Sequence, residues 1–276
     1  MTTSQLLLTQ WSFDPSVWGG CALLIALHFW RIRRATIGQR LSWIAGVVTM
    51  FVALESALDP LSDIYLFSAH MAQHLLLILI VPPFLLWGIP ESEARSWMRH
   101  PTICRAESIL GRPVLAWCMG MGVMTVWHVP VLYDYAVAHE TVHICEHLSF
   151  LVTATIFWWP IMSPLPERRL APIPAIFYLF AAVAENSALG IIITFMPVGY
   201  YHSYLHPADP LHVLGMIRNQ WGLSVAADQR LGGLFMWIPG CTIYFIGILL
   251  VFIAWCDASD AEEMPALESG KAVQRG

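Results

Sequence analysis

The sequence predicts an all-α integral membrane protein, a bundle of seven transmembrane helices. Of its 276 residues, 57% are hydrophobic and only 12% are charged, and the mean hydropathy is +0.61. This composition excludes an ordinary soluble domain. Seven apolar runs are each long enough to cross a bilayer as a helix of about 20 residues. The lipid bilayer is therefore an expected partner, and the small net charge of −5 gives no basic surface for nucleic acid.

The seven predicted spans lie at about 16–30, 41–58, 64–88, 113–132, 139–162, 173–197 and 231–256. The first ends at a group of arginines that begins with Arg31, and the second ends at Asp59-Pro60. The third contains Pro82-Pro83, which should kink the helix because proline donates no backbone hydrogen bond. Pro113 opens the fourth span.

The later spans are bounded by prolines and charges. The fifth starts at His139, Pro172 and Pro197 enclose the sixth, and the seventh begins after Arg230. We expect residues 1–256 to form one transmembrane domain, and the acidic residues 257–276 to form a flexible cytoplasmic tail. The first fifteen residues lack the basic segment of a signal peptide, so the first span is expected to act as its own insertion signal.

The basic residues predict the orientation in the membrane. Twelve of the fourteen Lys and Arg residues fall on one side of the predicted spans, and only Arg218 and Arg230 fall on the other. Because segments rich in Lys and Arg stay in the cytoplasm, the N-terminus is predicted outside and the C-terminus inside. The six cysteines show no CxxC spacing, so neither a disulfide framework nor a thiolate metal site is expected.

Two of the apolar runs begin with histidines spaced four residues apart, which we call the histidine ladders. His70 and His74 open the third span, and His139, His143 and His147 open the fifth, always four residues apart. Residues four apart lie on one face of a helix. A histidine close to the bilayer is costly unless it has a partner or a function. Nine of the eleven histidines fall on the predicted outer side, which places the function there.

We predict that the two ladders share one metal ion, because neutral imidazole is a good ligand for copper, zinc and haem iron. The predicted metal ligands are His70, His74, His128, His143 and His147. Thioether sulfurs would favour Cu(I), and the candidates for them are Met71, Met216 and Met236. The alternative is that these histidines only bind water and loops at the interface. No role is assigned to the outer-loop histidines His202, His206 and His212.

A second alternative is a zinc metalloprotease. His139-Glu140-Thr-Val-His143 matches HExxH, in which two histidines bind zinc and the glutamate acts as general base. The pattern is short, this chain is rich in histidine, and no third ligand follows at protease spacing. His139 and His147 lie about 12 Å apart along a helix, so they cannot bind one ion together with His143.

Acidic residues inside apolar runs must be paired, hydrogen-bonded or protonated; here they are Glu55, Glu146 and Glu185. Glu146 is expected to face another helix, where it would either orient a histidine or make a structural hydrogen bond. Asp228 would either cap its own helix or orient a ligand. Three tryptophans are expected to pack spans or anchor the interface: Trp127, Trp158 and Trp159.

Several ordered motifs together resemble one family. They are Ser68-Ala-His70-Met-Ala-Gln73-His74 with Pro82-Pro83, Trp127-His128-Val-Pro130 with Tyr133, His143-Ile-Cys-Glu146-His147 with Phe157-Trp158-Trp159-Pro160, and Asp228-Gln229 with Gly232-Gly233 and Met236-Trp237. The set resembles the multi-spanning CtaG family of cytochrome c oxidase assembly factors over about residues 15–256.

This resemblance implies a multi-pass protein of the bacterial plasma membrane that helps to mature the copper centres of a haem–copper oxidase. Its partners would be cytochrome c oxidase subunits, and it would act by binding and transfer rather than as an enzyme. Copper is the expected metal. The main alternative from another class is a membrane cytochrome, with haem b held between the third and fifth spans. A passive scaffold for an oxidase subunit is a third possibility.

Overall fold

The computed structural model describes residues 2–273, with side chains to residue 259, and in that part the chain is all-helical without a β-strand. We number the main helices α1 to α11: Thr3–Thr9, Pro15–Arg31, Ile37–Glu55, Phe67–Trp87, Glu91–Trp97, Pro101–Leu110, Pro113–Trp127, Pro130–Ala138, Glu140–Met162, Pro172–Phe195 and Val225–Val273. Short helical turns lie at Leu58–Pro60, Leu61–Tyr65, Pro166–Arg168, His202–Tyr204 and Met216–Gln220.

Within the described residues 2–273, five helices are long and apolar enough to cross a membrane: α3, α4, α9, α10 and α11. A sixth span forms if α6 and α7 are counted together, although they meet at an angle of 73°. The first predicted span corresponds to α2, which has 17 residues and is shorter than these five helices. The helical, multi-spanning architecture is thus confirmed, whereas the count of seven spans and the orientation of the termini remain predictions.

A kink is predicted at Pro82-Pro83 in the third span; the structure shows a π-helical turn, Leu76–Ile80, just before the two prolines inside α4. Pro82 has no N–H with which to bond the carbonyl oxygen of Ile78, which an unbroken α-helix would require. The indole Nε1 of Trp158 donates to that oxygen instead, at 3.1 Å. The proline pair therefore widens α4 just after His74 and docks it against α9.

Helix α4 lies at the centre of the molecule, where it packs against α3, α9 and α11. Two thirds of its most apolar segment is buried by protein, compared with 22% for α11. Helices α10 and α11 pack closely because glycine replaces a side chain at their contact. A Cβ added to Gly190 would lie 2.7 Å from the backbone nitrogen of Trp237.

One end of the bundle, which we call the loop end, is formed by residues 198–224 and the first turns of α4 and α11. There Asp228 accepts hydrogen bonds from the backbone N–H groups of Phe67 (2.8 Å) and Ser68 (3.0 Å). Asp228 was expected to cap its own helix or orient a ligand. It caps α4 instead, and so it positions the helix that carries His70 and His74.

The predicted acidic tail, residues 257–276, lies mostly outside the described side chains. Helix α11 is traced to Val273, and its side chains are described to Ser259. The single transmembrane domain at 1–256 and the flexible tail both remain predictions.

Candidate metal centre

The structure brings the five predicted ligands together at the loop end, and we call them the five-histidine cluster: His70, His74, His128, His143 and His147. Helix α4 carries the first two, α9 carries the last two, and His128 follows the last residue of α7. His70 and His74 are completely buried, His128 is 3% exposed and His143 is 9% exposed.

The two ladders face each other at matching depth. The ring centroids of His70 and His143 are 5.0 Å apart, and those of His74 and His147 are 5.6 Å apart. Within each helix the two rings are also adjacent, at 4.3 Å in α4 and 4.2 Å in α9. Ligand atoms of His70, His74 and His147 all lie within 4.8 Å of one another. The predicted contact between the ladders is therefore present.

A hydrogen-bond chain defines which nitrogen of His70 is free. The hydroxyl of Tyr204 lies 2.7 Å from the carbonyl oxygen of Ser62, to which it must donate its only hydrogen. Nδ1 of His70 lies 3.1 Å from the same hydroxyl and therefore donates to it. Tyr133 supplies a second donor to Tyr204, at 2.9 Å. His70 is thus held as the Nδ1–H tautomer, with the lone pair of Nε2 free.

His128 is fixed in the same way. Its Nδ1 lies 2.7 Å from the carbonyl oxygen of Met124 and must donate to it, because a carbonyl oxygen only accepts. The free Nε2 lone pair belongs to a ring whose centroid lies 5.4 Å from that of His74. Backbone and tyrosine acceptors of this kind hold a histidine in the orientation that a metal requires.

Buried nitrogens without hydrogen-bond partners are concentrated in this cluster: Nε2 of His70, His128, His143 and His147, and both ring nitrogens of His74. A buried polar atom without a partner is costly and calls for an explanation. Neutral imidazole nitrogens with free lone pairs are the atoms that bind copper or zinc. The residues present therefore fit a bound metal ion.

Two carboxylates border the cluster. Oε1 of Glu146 lies 3.6 Å from Nε2 of His74, and both side chains are completely buried. Oδ1 of Asp63 lies 3.7 Å from Nδ1 of His143, and the Asp63 side chain is 38% exposed. Burial of the carboxyl group away from water raises the pKa of Asp63 to about 6. As expected, Glu146 faces another helix, and Asp63 is a ligand candidate that the sequence did not suggest.

The thioether candidates are buried in apolar surroundings. Met71 and Met236 pack in the main apolar core. Met216 lies in a separate apolar cluster, where its sulfur accepts a hydrogen bond of 3.6 Å from Thr3. Among the described residues, the histidine and carboxylate groups that lie within reach of one another in sets of three are His70 with His74 and His147, and His70 with His143 and Asp63.

The HExxH pattern does not form a site in this fold. His139 precedes α9 and is not helical; its Nδ1 bonds the carbonyl oxygen of Tyr135 at 2.8 Å, and its ring stacks on the same residue. Glu140 is exposed. A zinc protease needs both histidines of the pattern on one helical face, which the local backbone prevents.

The remaining histidines lie elsewhere. His202 pairs with Asp134 at the surface, with Nδ1 and Oδ2 3.2 Å apart. His206 and His212 belong to the same loop region and are exposed. His28 is buried in α2 and stacks on Trp43.

The other acids inside apolar runs and the tryptophans have structural partners. Glu55 accepts hydrogen bonds from the indole of Trp18 and the backbone of Asp14, and Glu185 accepts one from Thr125. Trp127 and Trp159 donate to side chains of neighbouring helices, namely Ser149 and Glu107. These residues hold spans together, as the sequence suggested for the tryptophans.

Sequence reasoning missed Asp63 and Tyr204. Asp63 lies seven residues before His70, a spacing that would share a face in a continuous helix. The chain is not continuous there, because Leu66 is extended between the turn Leu61–Tyr65 and α4. Tyr204 comes from the 198–224 loop, 134 residues from His70, and no periodicity identifies it.

Similar proteins are found in mycobacteria. A protein of Mycobacterium leprae (strain TN) is 25% identical over 278 aligned residues, which cover 90% of this chain and 40% of the relative. Proteins of Mycobacterium bovis (strain ATCC BAA-935 / AF2122/97) and Mycobacterium tuberculosis (strain CDC 1551 / Oshkosh) are each 25% identical over 275 residues, covering 90% of this chain and 39% of theirs. All three are described as uncharacterized proteins, and the chain spans 40% or less of their length. No solved structure matches the chain.

The family comparison agrees with the motifs. A sequence model of the family described as cytochrome c oxidase caa3 assembly factor (Caa3_CtaG) matches residues 23–258. That segment contains every element of the five-histidine cluster. The chain belongs to the CtaG family of cytochrome c oxidase caa3 assembly factors.

Proposed function

We propose that the protein binds one copper ion in the five-histidine cluster and supplies it to a cytochrome c oxidase subunit during assembly in the bacterial plasma membrane. The observation that carries the proposal is the convergence of unpaired, buried imidazole nitrogens from three helices in a member of this family. An assembly factor for a haem–copper oxidase has a direct need for copper, and imidazole suits that metal.

The chemistry is binding and release, without turnover. His70 and His128 are held by their Nδ1–H groups, so each presents an Nε2 lone pair without reorganisation. Release requires protonation or exchange of imidazole ligands, which the partner subunit would drive with its own ligands. Two buried carboxylate oxygens of Glu146 would offset part of the positive charge in an apolar setting.

The packing argues against haem b. A haem iron with two histidine ligands needs the macrocycle between the two helices. Here the rings of α4 and α9 contact each other directly, and the gap between the ladders is filled by imidazoles and by Phe150, 4.6 Å from the His74 ring. The arrangement supports a small ion as ligand.

The proposal is tested by oxidase maturation in cells that lack the chromosomal copy of this protein. His74→Ala should abolish the restoration of oxidase activity, because it removes a completely buried ligand from the centre of the cluster. His206→Ala, an exposed loop histidine, is the matched control and should restore activity fully. Normal maturation with a membrane-inserted His74→Ala protein would contradict the proposal.

The same assay separates the hydrolase alternative. Glu140→Gln should leave maturation unchanged, because Glu140 is exposed and lies outside the cluster. Loss of maturation in Glu140→Gln with copper binding retained would favour a zinc hydrolase, in which that glutamate is the general base.

A further inference from the structure

Among the residues that the structure describes, two overlapping sets of ligand atoms lie at the loop end. One set, the inner triad, consists of His70, His74 and His147; the other, the outer triad, consists of Asp63, His70 and His143. In each set the candidate ligand atoms lie within 4.8 Å of one another. His70 belongs to both.

The two triads differ in access from the surface. Each triad has one partly exposed member, Asp63 in the outer triad and His147 in the inner triad. The Asp63 side chain is 38% exposed, whereas Nε2 of His147 is a buried atom. The carboxylate of Asp63 is therefore the ligand group that a metal ion arriving at the loop end meets most readily. The Asp63 carboxylate also attracts a cation from solution, whereas the carboxyl group beside the inner triad, that of Glu146, is completely buried.

His70 can serve only one triad at a time. Its Nδ1–H donates to Tyr204, so only the Nε2 lone pair is left for a metal. One lone pair binds one ion, and the two triads cannot both be filled. The step between them is short, because the His143 ring is 4.2 Å from the His147 ring.

We propose that the outer triad is a loading site, at which a copper ion is first bound by Asp63 and His143 and then passed to the inner triad through His70. This inference rests on the proposed function and adds a direction and an order to it. The transfer exchanges the Asp63 oxygen and the His143 nitrogen for nitrogens of His74 and His147, while His70 stays bound. No electron or proton is transferred.

Loading kinetics of the purified full-length protein test this order. Cu(I) is supplied as its complex with a chromophoric chelator, and the fall in absorbance gives both the rate and the final stoichiometry. Asp63→Asn keeps the size of the side chain but removes its charge, and it should slow loading by about tenfold or more. The endpoint should remain one ion per chain, because the inner triad is intact.

Glu140→Gln is the matched control, because it removes an exposed carboxylate from the same end of the molecule. If Asp63 acts as a ligand, Glu140→Gln should load copper at the wild-type rate. If Asp63→Asn and Glu140→Gln slow loading equally, the effect is general attraction by surface charge and the loading site is overturned. An unchanged rate in Asp63→Asn would also overturn it.

The endpoints distinguish the two proposals. If the wild-type protein bound two ions at once, the separation into two triads would be overturned while copper binding stood. The same would follow if Asp63→Asn finally bound as little copper as His74→Ala. A wild-type protein that takes up no Cu(I) would instead contradict the proposed function itself.

Discussion

The imidazole of His70 illustrates how residues outside the cluster set its chemistry. Tyr204 must donate to a backbone carbonyl, so it accepts from Nδ1 of His70 and leaves Nε2 free. The i, i+4 spacing of the ladders could be recognised in the sequence because it is a local periodicity of a helix. Tyr204 could not, since its contact with His70 depends on how a long loop folds back over the bundle.

Replacing Tyr204 with phenylalanine tests this dependence. Tyr204→Phe keeps the ring but removes the acceptor for Nδ1–H, so the His70 tautomer is no longer fixed. We expect copper affinity to fall by about 10- to 100-fold, the usual effect of losing a hydrogen bond to a metal-binding histidine. Competition with a Cu(I) chelator measures it.

The control is Tyr178→Phe, which removes another buried hydroxyl, one that donates to the carbonyl oxygen of Phe157 at 2.8 Å. It should leave copper affinity unchanged. If both variants lose copper affinity equally, the loss comes from general loosening of the helix bundle after a buried tyrosine hydroxyl is removed.

At the scale of the helix, prolines and glycines explain where the elements depart from simple apolar runs. The proline pair in the third span predicts a kink, and the structure shows a π-helical turn, Leu76–Ile80, just before the pair. The sequence could not indicate that the indole of Trp158 would donate a hydrogen bond to the freed carbonyl oxygen of Ile78, because these two residues lie 80 positions apart. Likewise, Asp228 caps α4 from a distance of 160 residues.

Helix α7 packs closely against α9, the helix that carries His143 and His147, and glycines in α7 allow this packing to be tested. A Cβ at Gly120 would lie 2.6 Å from Cβ of Phe157, whereas a Cβ at Gly122 would meet nothing within 4 Å. Gly120→Ala should therefore lower the free energy of unfolding by about 1–3 kcal/mol through overpacking. Thermal unfolding in detergent measures the change.

Gly122→Ala makes the same substitution two residues away and should leave the unfolding temperature nearly unchanged. If both variants are equally destabilised, the cost does not come from contact with Phe157, because alanine is otherwise favoured over glycine inside a helix.

At the scale of the whole molecule, the all-helical membrane fold followed from composition and apolar runs, because every span must satisfy its own backbone in lipid. The orientation rests on the distribution of basic residues, which predicts an external N-terminus and a cytoplasmic C-terminus. A reporter fused after Gly276 should therefore be cytoplasmic, and one inserted in the 198–224 loop should be external.

An external C-terminal reporter would reverse this arrangement and place the five-histidine cluster at the cytoplasmic face. Delivery of copper from the outer half of the bilayer would then be excluded, although the cluster itself would be unaffected.

The most direct test of the account is X-ray absorption at the copper edge, combined with metal analysis, on the purified protein after exposure to Cu(I) and removal of excess metal. We predict one copper per chain, bound mainly by imidazole nitrogens at about 2 Å, and loss of that signal in His74→Ala. Protein that retains no copper, or that instead carries the visible absorption of haem, would contradict the assignment of the five-histidine cluster as a copper site.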